Sequence, residues 1–176
     1  MSTYIIGPCF LKRAKQKIYF SEILLKFIHS NPLKLGIDDQ NIILNEYHEI
    51  AKQDQCIASW LQLMSTLKPL SFEKISIGPF TQNGKSLDVY IATCSCVIGC
   101  KKMIVFTFQS LDGYEIVEGT KLKVDDECLI EILDRDTAIK DVAEDENSGK
   151  GVVYNIKDSI VATKNSSITD SSIRKQ

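Results

Sequence analysis

The sequence predicts an α/β domain of three layers, in which helices cover both faces of a central, mainly parallel sheet. Short β-favouring apolar runs alternate along the chain with longer stretches whose apolar residues recur at helical spacing. This alternation is typical of parallel sheets, because each parallel strand pair needs a crossover. The chain has 176 residues, 44% of them apolar and 25% charged, which is enough material for one core.

The elements of the first third follow from local patterns. Residues 4–6 predict a first strand, which ends at Gly7 because a Gly-Pro pair favours a sharp exit. Apolar spacing of i, i+3, i+4 and i+7 predicts an amphipathic helix over 19–30, which Pro32 stops. Residues 33–37 then read as a second strand.

The middle of the chain predicts two more helical stretches and a connection. Asp38 and Asp39 can cap a helix, and the pattern over 42–50 gives it a buried stripe. A second helical pattern covers 57–67. Residues 71–83 contain the pair Gly78-Pro79 and end at Asn83-Gly84, which predicts a connection with one short strand at 72–77.

The remaining elements complete the predicted domain. A helix begins at Ser86 or Asp88 and runs to about Gly99, and residues 103–107 form the clearest buried strand. A short strand is expected at 114–117. We expect Asp125 to cap a final helix whose inward residues are Leu129, Ile132 and Leu133.

The domain is expected to span residues 1–138, followed by an acidic linker at 139–151 and a Ser-, Asn- and Ile-rich tail at 152–176. Short polar-polar-Ile repeats in the tail fit either disorder or a β-structured strip for self-association or docking. If the tail forms a β-structured strip, we expect a homo-oligomer assembled through residues 152–173.

Composition limits the function classes. The 21 Lys and Arg against 23 Asp and Glu exclude a strongly basic nucleic-acid coat, although a local phosphate-binding cleft stays open. No membrane-spanning run or signal peptide is evident, so we expect a cytoplasmic protein whose six cysteines are free thiols. Cys94, Cys96 and Cys100 miss the usual zinc spacings and are expected in the core on one helix.

Two acidic residues stand in unexpected places. Glu46 falls between Ile42 and Ile50, inside the apolar stripe of its helix, and Asp88 faces the sheet at the start of another helix. A carboxylate there is costly unless it is paired or bound to a cation. If the helices flank neighbouring strands, the two acids can share Mg2+ at the carboxyl edge of the sheet. The ordinary alternative is that Asp88 caps its helix and Glu46 pairs with a lysine.

Four segments together resemble PIN-like nucleases. They are residues 5–11, 42–50, 88–92 and 104–107, in that order along the chain. The resemblance covers residues 4–135. It implies an acidic site that binds Mg2+ or Mn2+ and hydrolyses RNA phosphodiesters.

The resemblance assigns individual residues and also has departures. Glu46 and Asp88 match acids of the family and are implied as metal ligands and catalytic residues. Gly7 stands where the family has its first Asp, and Gln109 stands at the fourth acidic position, with Asp112 as the nearby substitute. Losing carboxylates lowers the charge that holds the metal.

The sequence also predicts a contact surface for the substrate. Lys12, Arg13, Lys15 and Lys17 follow the first strand, where a basic run can hold phosphates without reading sequence. A solvated basic run is the ordinary alternative.

Other polar and aromatic residues are expected to play no part in the site. The two histidines, His29 and His48, are expected on exposed helix faces, and Trp60 is expected in the core.

Two functions are consistent with these patterns. The first is a metal-dependent ribonuclease, of the size of a bacterial toxin or anti-phage effector. The second is a catalytically inactive PIN-like scaffold that binds RNA or a protein partner and assembles through its C-terminal tail.

Overall fold

The computed structural model describes residues 2–14, 18–30, 33–80 and 86–148, and the predicted tail lies outside them. The predicted α/β class is confirmed by a seven-stranded, mostly parallel sheet packed against six α-helices. The helices are α1 (Pro8–Ala14), α2 (Ile18–His29), α3 (Ile42–Ala51), α4 (Gln55–Leu67), α5 (Leu87–Ser95) and α6 (Arg135–Ser148). The strands are β1 (Thr3–Ile6), β2 (Lys34–Asp38), β3 (Phe72–Ile75), β4 (Lys101–Ile104), β5 (Ile116–Val117), β6 (Lys121–Lys123) and β7 (Leu129–Leu133).

The strand order is β3-β2-β1-β4-β7-β6-β5. The first five strands in this order are parallel, and β6 and β5 continue the sheet as an antiparallel hairpin. The winding reverses between β1 and β4, because the chain returns from the β3 edge to the other side of β1. Right-handed crossovers therefore place α1 to α4 on one face and α5 on the other. Ligands of such sheets bind at the carboxyl ends of the strands beside this reversal.

The centre of the sheet requires a glycine. A Cβ atom on Gly36 in β2 would lie 2.4 Å from Cδ1 of Ile5 and 2.8 Å from Cδ1 of Ile75. The two isoleucines come from β1 and β3, the strands on either side of β2. Their side chains fill the space above Gly36. The side chains of β1 and β3 therefore pack over β2 at this position, where β2 has no side chain.

A charged cluster ties α6 to the sheet. Lys102 in β4 is buried, and its Nζ lies 2.9 and 2.7 Å from the two carboxylate oxygens of Asp141 and 3.6 Å from Asp145. The Tyr4 hydroxyl of β1 lies within hydrogen-bond distance of both aspartates. Burial raises the pKa of Tyr4, and the two aspartates raise it further. These contacts satisfy a buried ammonium group that would otherwise be costly.

The predicted helix after Asp125 is wrong, because residues 129–133 form β7. The Asp125 carboxylate accepts hydrogen bonds from the backbone N–H groups of Glu127 and Cys128, which makes a turn between β6 and β7. Burial in β7 alternates at its start, with Leu129 exposed and Ile130 buried. The short apolar run at 129–133 fits the period of a helix as well as that of a strand, and in the structure it follows the period of a strand.

Several boundaries also differ from the predictions. Residues 139–148 belong to α6 and not to a linker, since Val142 is fully buried against the core. The short helix α1 was missed, although Pro8 at its start is a favourable helix-initiating residue. The strand predicted at 103–107 lies at 101–104.

The cysteine prediction is wrong for two of its three residues. Only Cys94 is buried on α5, whereas Cys96 and Cys100 are exposed beyond its end. The helix stops early, and Gly99 adopts a φ of +93° that turns the chain into β4.

Other single-residue predictions are confirmed. His29 and His48 are exposed, and Trp60 is buried with its Nε1–H donating to the Leu24 carbonyl at 2.9 Å.

Candidate active site

A cavity of about 220 Å³ lies at the carboxyl ends of β1 and β4, where the winding of the sheet reverses. We call it the switch cavity. Three parts of the chain line it: the residues after β1, the start of α5 and the loop after β4. Its lining residues are Gly7, Pro8, Cys9, Phe10, Lys12, Ser86, Leu87, Val105, Ser110, Asp112 and Tyr114.

Glu46 on α3 is bound to residues around this cavity. Its two carboxylate oxygens each lie 2.9 Å from the Ser86 hydroxyl, and one accepts a 3.0 Å hydrogen bond from Tyr90 of α5. The Lys12 ammonium is 3.6 Å away, and the Glu46 side chain is 21% exposed. The expected inward acid is thus partly buried and has both hydroxyl and ammonium partners.

Asp88 lies in the first turn of α5 and has a different partner. Its carboxylate accepts a hydrogen bond from the Tyr114 hydroxyl, which reaches it from the loop after β4. Burial raises the pKa of Tyr114, and the hydrogen bond and charge of Asp88 raise it further. The hydroxyl therefore stays protonated and acts as a donor to Asp88.

Ser86 and Tyr114 connect the two predicted acids to one cavity. Both residues line the switch cavity, Ser86 bonded to Glu46 and Tyr114 bonded to Asp88. Sequence reasoning missed both hydroxyl groups, together with Tyr90. For Ser86 and Tyr90, the available signal was their closeness to Asp88, because each lies two residues from it in the sequence.

Two further positions of the acidic pattern, Gly7 and Asp112, line the same cavity. Asp112 follows a 3-10 turn at Phe108–Leu111, is exposed and lines the cavity. Gln109 lies on that turn and is exposed. Gly7 lines the cavity directly after β1, and a Cβ atom there would lie 3.2 Å from the Ile104 carbonyl oxygen. This close approach to β4 leaves little room for a side chain at position 7.

The predicted basic run is only partly described. Lys12 lines the switch cavity, and its side chain is 56% exposed. The Arg13 guanidinium lies 4.4 Å from the centroid of the Phe106 ring, just after β4. Lys15 and Lys17 lie outside the described residues.

Two further side chains hold the edge of the sheet. The fully buried carboxylate of Asp38 accepts hydrogen bonds of 2.8 and 2.7 Å from the N–H groups of Ile42 and Ile43, so the predicted capping of α3 is confirmed for Asp38, although Asn41 occupies the N-cap position. The other predicted cap, Asp39, instead accepts a hydrogen bond from the Ser76 hydroxyl. The Tyr47 hydroxyl donates to the Ile6 carbonyl at 2.6 Å. Burial raises the pKa of Tyr47. Because these bonds fix α3 against β1 and β2, they determine where Glu46 can lie.

The chemistry of the donors around the cavity is that of oxygen ligands. Glu46, Asp88 and Asp112 provide carboxylates, which suit hard cations such as Mg2+ and Mn2+. Among the described residues, however, no three His, Cys, Asp or Glu side chains are grouped closely enough to hold a metal ion together. Glu46 and Asp88 have separate hydroxyl partners, Ser86 and Tyr114. Glu46 also pairs with Lys12, which is the lysine partner that the ordinary alternative expected.

No helix in the described part of the chain is long and apolar enough to cross a lipid bilayer. Comparison of the chain with protein-family models, with curated proteins and with solved structures finds no match in any of the three.

Proposed function

We propose that this chain is a PIN-like domain that uses Mg2+ or Mn2+ to hydrolyse RNA phosphodiesters at the switch cavity. The convergence of the predicted residues supports this function. Lys12 and Asp112 line the cavity, and Glu46 and Asp88 bind hydroxyl groups that line it. These residues come from four separate parts of the sequence, and the cavity lies where ligands bind in sheets of this winding.

The donor set fits a magnesium-type ion with few protein ligands. Mg2+ is commonly held by one or two carboxylates together with waters and substrate phosphates, so a group of three is not needed. Glu46 and Asp88 would hold the ion. A bound ion would supply a Lewis acid for the phosphate and a more acidic water at neutral pH.

The chain's own residues have distinct roles in this proposal. Lys12 is exposed enough to turn its ammonium group from Glu46 towards a phosphate oxygen. Asp112 is exposed at the cavity and can accept a proton from the attacking water. Ser86 and Tyr114 orient the carboxylates of Glu46 and Asp88 by hydrogen bonding.

A second candidate is the inactive PIN-like scaffold, which would bind RNA or a protein partner without cleaving it. The Lys12–Glu46 ion pair and the absence of a carboxylate at Gly7 favour it, because both lower the negative charge available to a cation. The role of toxin or anti-phage effector and the cytoplasmic location stay predictions in either case.

Cleavage of a mixed RNA pool with Mg2+ or Mn2+ separates the two candidates. We expect Glu46→Gln and Asp88→Asn to reduce cleavage by about 100-fold or more. The matched control is Glu49→Gln, since Glu49 is an exposed acid of α3 that pairs with Lys52. Equal cleavage by wild type and both site variants would contradict the nuclease. Metal-independent RNA binding without cleavage, measured by fluorescence anisotropy, would favour the scaffold.

A further inference from the structure

A second cavity, apolar in character, lies between α2 and α4. We call it the α2–α4 groove; its volume is about 310 Å³. Leu25 and Leu63 stand at the groove with 47% and 40% of their surface exposed. The other apolar lining residues are Leu24, Ile28, Ile57 and Trp60. Clustered exposed apolar side chains of this kind are typical of binding surfaces.

We propose that the segment Val-Val-Tyr-Asn-Ile at residues 152–156 of the same chain binds in the α2–α4 groove. This segment is the most apolar stretch after α6, with four apolar or aromatic residues in five. The proposal is independent of the nuclease function, because the groove shares no lining residue with the switch cavity.

Helix α6 packs against α2, one of the two helices that form the groove. Asp145, in the last turn described for α6, lies within hydrogen-bond distance of the Tyr4 hydroxyl, and the Tyr4 ring packs edge-on against Phe27 at 5.7 Å. Phe27 belongs to the part of α2 that also supplies Leu24 and Ile28 to the groove. The chain that leaves Ser148 therefore starts on one side of α2, and the groove lies on the other.

The chain after Ser148, counted to the end of the proposed segment, is long enough to pass around this helix. An α-helix with its side chains is about 10 Å wide. Residues 149–151 span up to about 10 Å when extended. They include Gly149 and Gly151, which permit tight changes of direction. The path around half of a helix of this width is about 16 Å. The extended chain from Ser148 reaches up to about 13 Å at residue 152 and about 26 Å at residue 156, so the segment is long enough to pass over α2.

Charge also favours this binding within the chain. Residues 149–176 contain five Lys and Arg but two Asp, whereas residues 1–148 contain sixteen Lys and Arg but twenty-one Asp and Glu. Lys150 and Lys157 stand on either side of the apolar segment. Glu22 lies one helical turn before Leu25, and Asp54 precedes the groove residue Gln55. The opposite net charges of residues 149–176 and residues 1–148 supplement apolar burial.

Alkylation of Cys56 tests the proposal in the full chain. Cys56 lines the groove and is exposed, and the exposed Cys100 lies outside the groove as an internal reference. We expect iodoacetamide to modify Cys56 about ten-fold more slowly in wild type than in the double variant Val153→Asp, Ile156→Asp. The matched control is Ile168→Asp, Ile173→Asp, in which Cys56 should stay as slow as in wild type. Peptide mass spectrometry gives each rate.

Three outcomes would overturn the proposal. The first is an equal Cys56 rate in wild type and the Val153→Asp, Ile156→Asp variant. The second is protection of Cys56 that increases with protein concentration, because the occupant would then be a second copy. The third comes from hydrogen exchange at residues 152–156. Leu63→Asp alters the groove and should speed this exchange. Leu70→Asp, at a 90% exposed site outside the groove, should leave it unchanged. Equal exchange in the two variants would contradict binding.

Discussion

The Glu46 carboxylate on α3 accepts a 3.0 Å hydrogen bond from the Tyr90 hydroxyl on α5. The two helices cover opposite faces of the sheet, so this bond joins the outer layers around the carboxyl edge of the strands. Burial raises the pKa of Tyr90, and the neighbouring Tyr47 and Glu46 raise it further. The Tyr90 hydroxyl therefore stays a donor over the whole ordinary pH range, and Glu46 is held by it.

Removing this hydroxyl should destabilise the fold. We expect Tyr90→Phe to lower the free energy of unfolding by about 1–2 kcal/mol, because the partly buried Glu46 carboxylate loses a donor. Urea denaturation measures the change. Ser95→Ala is the control, since the Ser95 hydroxyl donates to the Ala92 carbonyl of its own helix and lies 4.0 Å from the sulfur of the next residue, Cys96. An equal effect in the two variants would show that the Glu46–Tyr90 bond contributes nothing.

Filling the centre of the sheet should destabilise it more than filling its edge. Gly36→Ala places a methyl group 2.4 Å from Ile5 and should cost about 2 kcal/mol or more of unfolding free energy. Gly7→Ala meets the Ile104 carbonyl oxygen only at 3.2 Å and should cost less. Thermal unfolding of both variants tests this order, and the reverse order would contradict the packing argument.

The cluster around Lys102 should give the stability a defined pH dependence. Burial acts to lower the pKa of Lys102, but the hydrogen bond and charges of Asp141 and Asp145 outweigh it and raise this pKa. Burial acts to raise the pKa of Asp145, but its partners Ser2, Tyr4 and Lys102 outweigh it and lower this pKa. Lys102 and Asp145 are therefore both charged between about pH 5 and 10.

Lys102→Met should lower stability mainly within that pH range. We expect it to lower the free energy of unfolding by about 2 kcal/mol near neutral pH, because two carboxylates lose their shared cation. The difference from wild type should shrink as pH falls below about 4, where the stabilisation from Asp145 is lost, and again as pH rises above about 10, where that from Lys102 is lost. Urea titrations across pH measure it. A difference that is constant with pH would contradict the assignment.

The buried tyrosines should titrate only when the protein unfolds. The pKa values of Tyr4, Tyr47, Tyr90 and Tyr114 are all raised, chiefly by burial. Because the folded state holds these protons more tightly, stability should fall as pH rises above about 10. Ultraviolet absorbance of tyrosinate should then rise together with loss of helical circular dichroism. Ionisation of all the tyrosines before any loss of helix would contradict their burial.

Lys12 should oppose cation binding at the proposed site. Its ammonium group is 3.6 Å from Glu46, so Lys12→Met removes a competing positive charge. We expect the variant to bind Mn2+ several-fold more tightly by calorimetry and to bind RNA more weakly. Lys52→Met, which removes the partner of Glu49, is the control. Unchanged Mn2+ affinity in Lys12→Met would count against a cation at Glu46.

Local patterns were sufficient for most of the fold. The apolar spacing located α2, α3 and α4, and the Asp38 cap was recognised because a short acid before a helical pattern satisfies its first N–H groups. The period of residues 129–133 is ambiguous in the sequence, because four apolar residues around Glu131 fit a helix turn as well as a strand. Only pairing with β4 and β6 makes that run a strand.

The sequence by itself determined that this chain is an α/β protein and that Glu46 and Asp88 each lie on a helix, Glu46 within the apolar stripe, because these conclusions depend on spacing along one element. Tertiary structure alone decided what these acids meet. Glu46 binds Ser86, Tyr90 and Lys12, and Asp88 binds Tyr114. The three hydroxyl partners are 26 to 44 residues away from these acids in the sequence. Such partners are set by strand order and crossovers, which no local pattern of residues encodes.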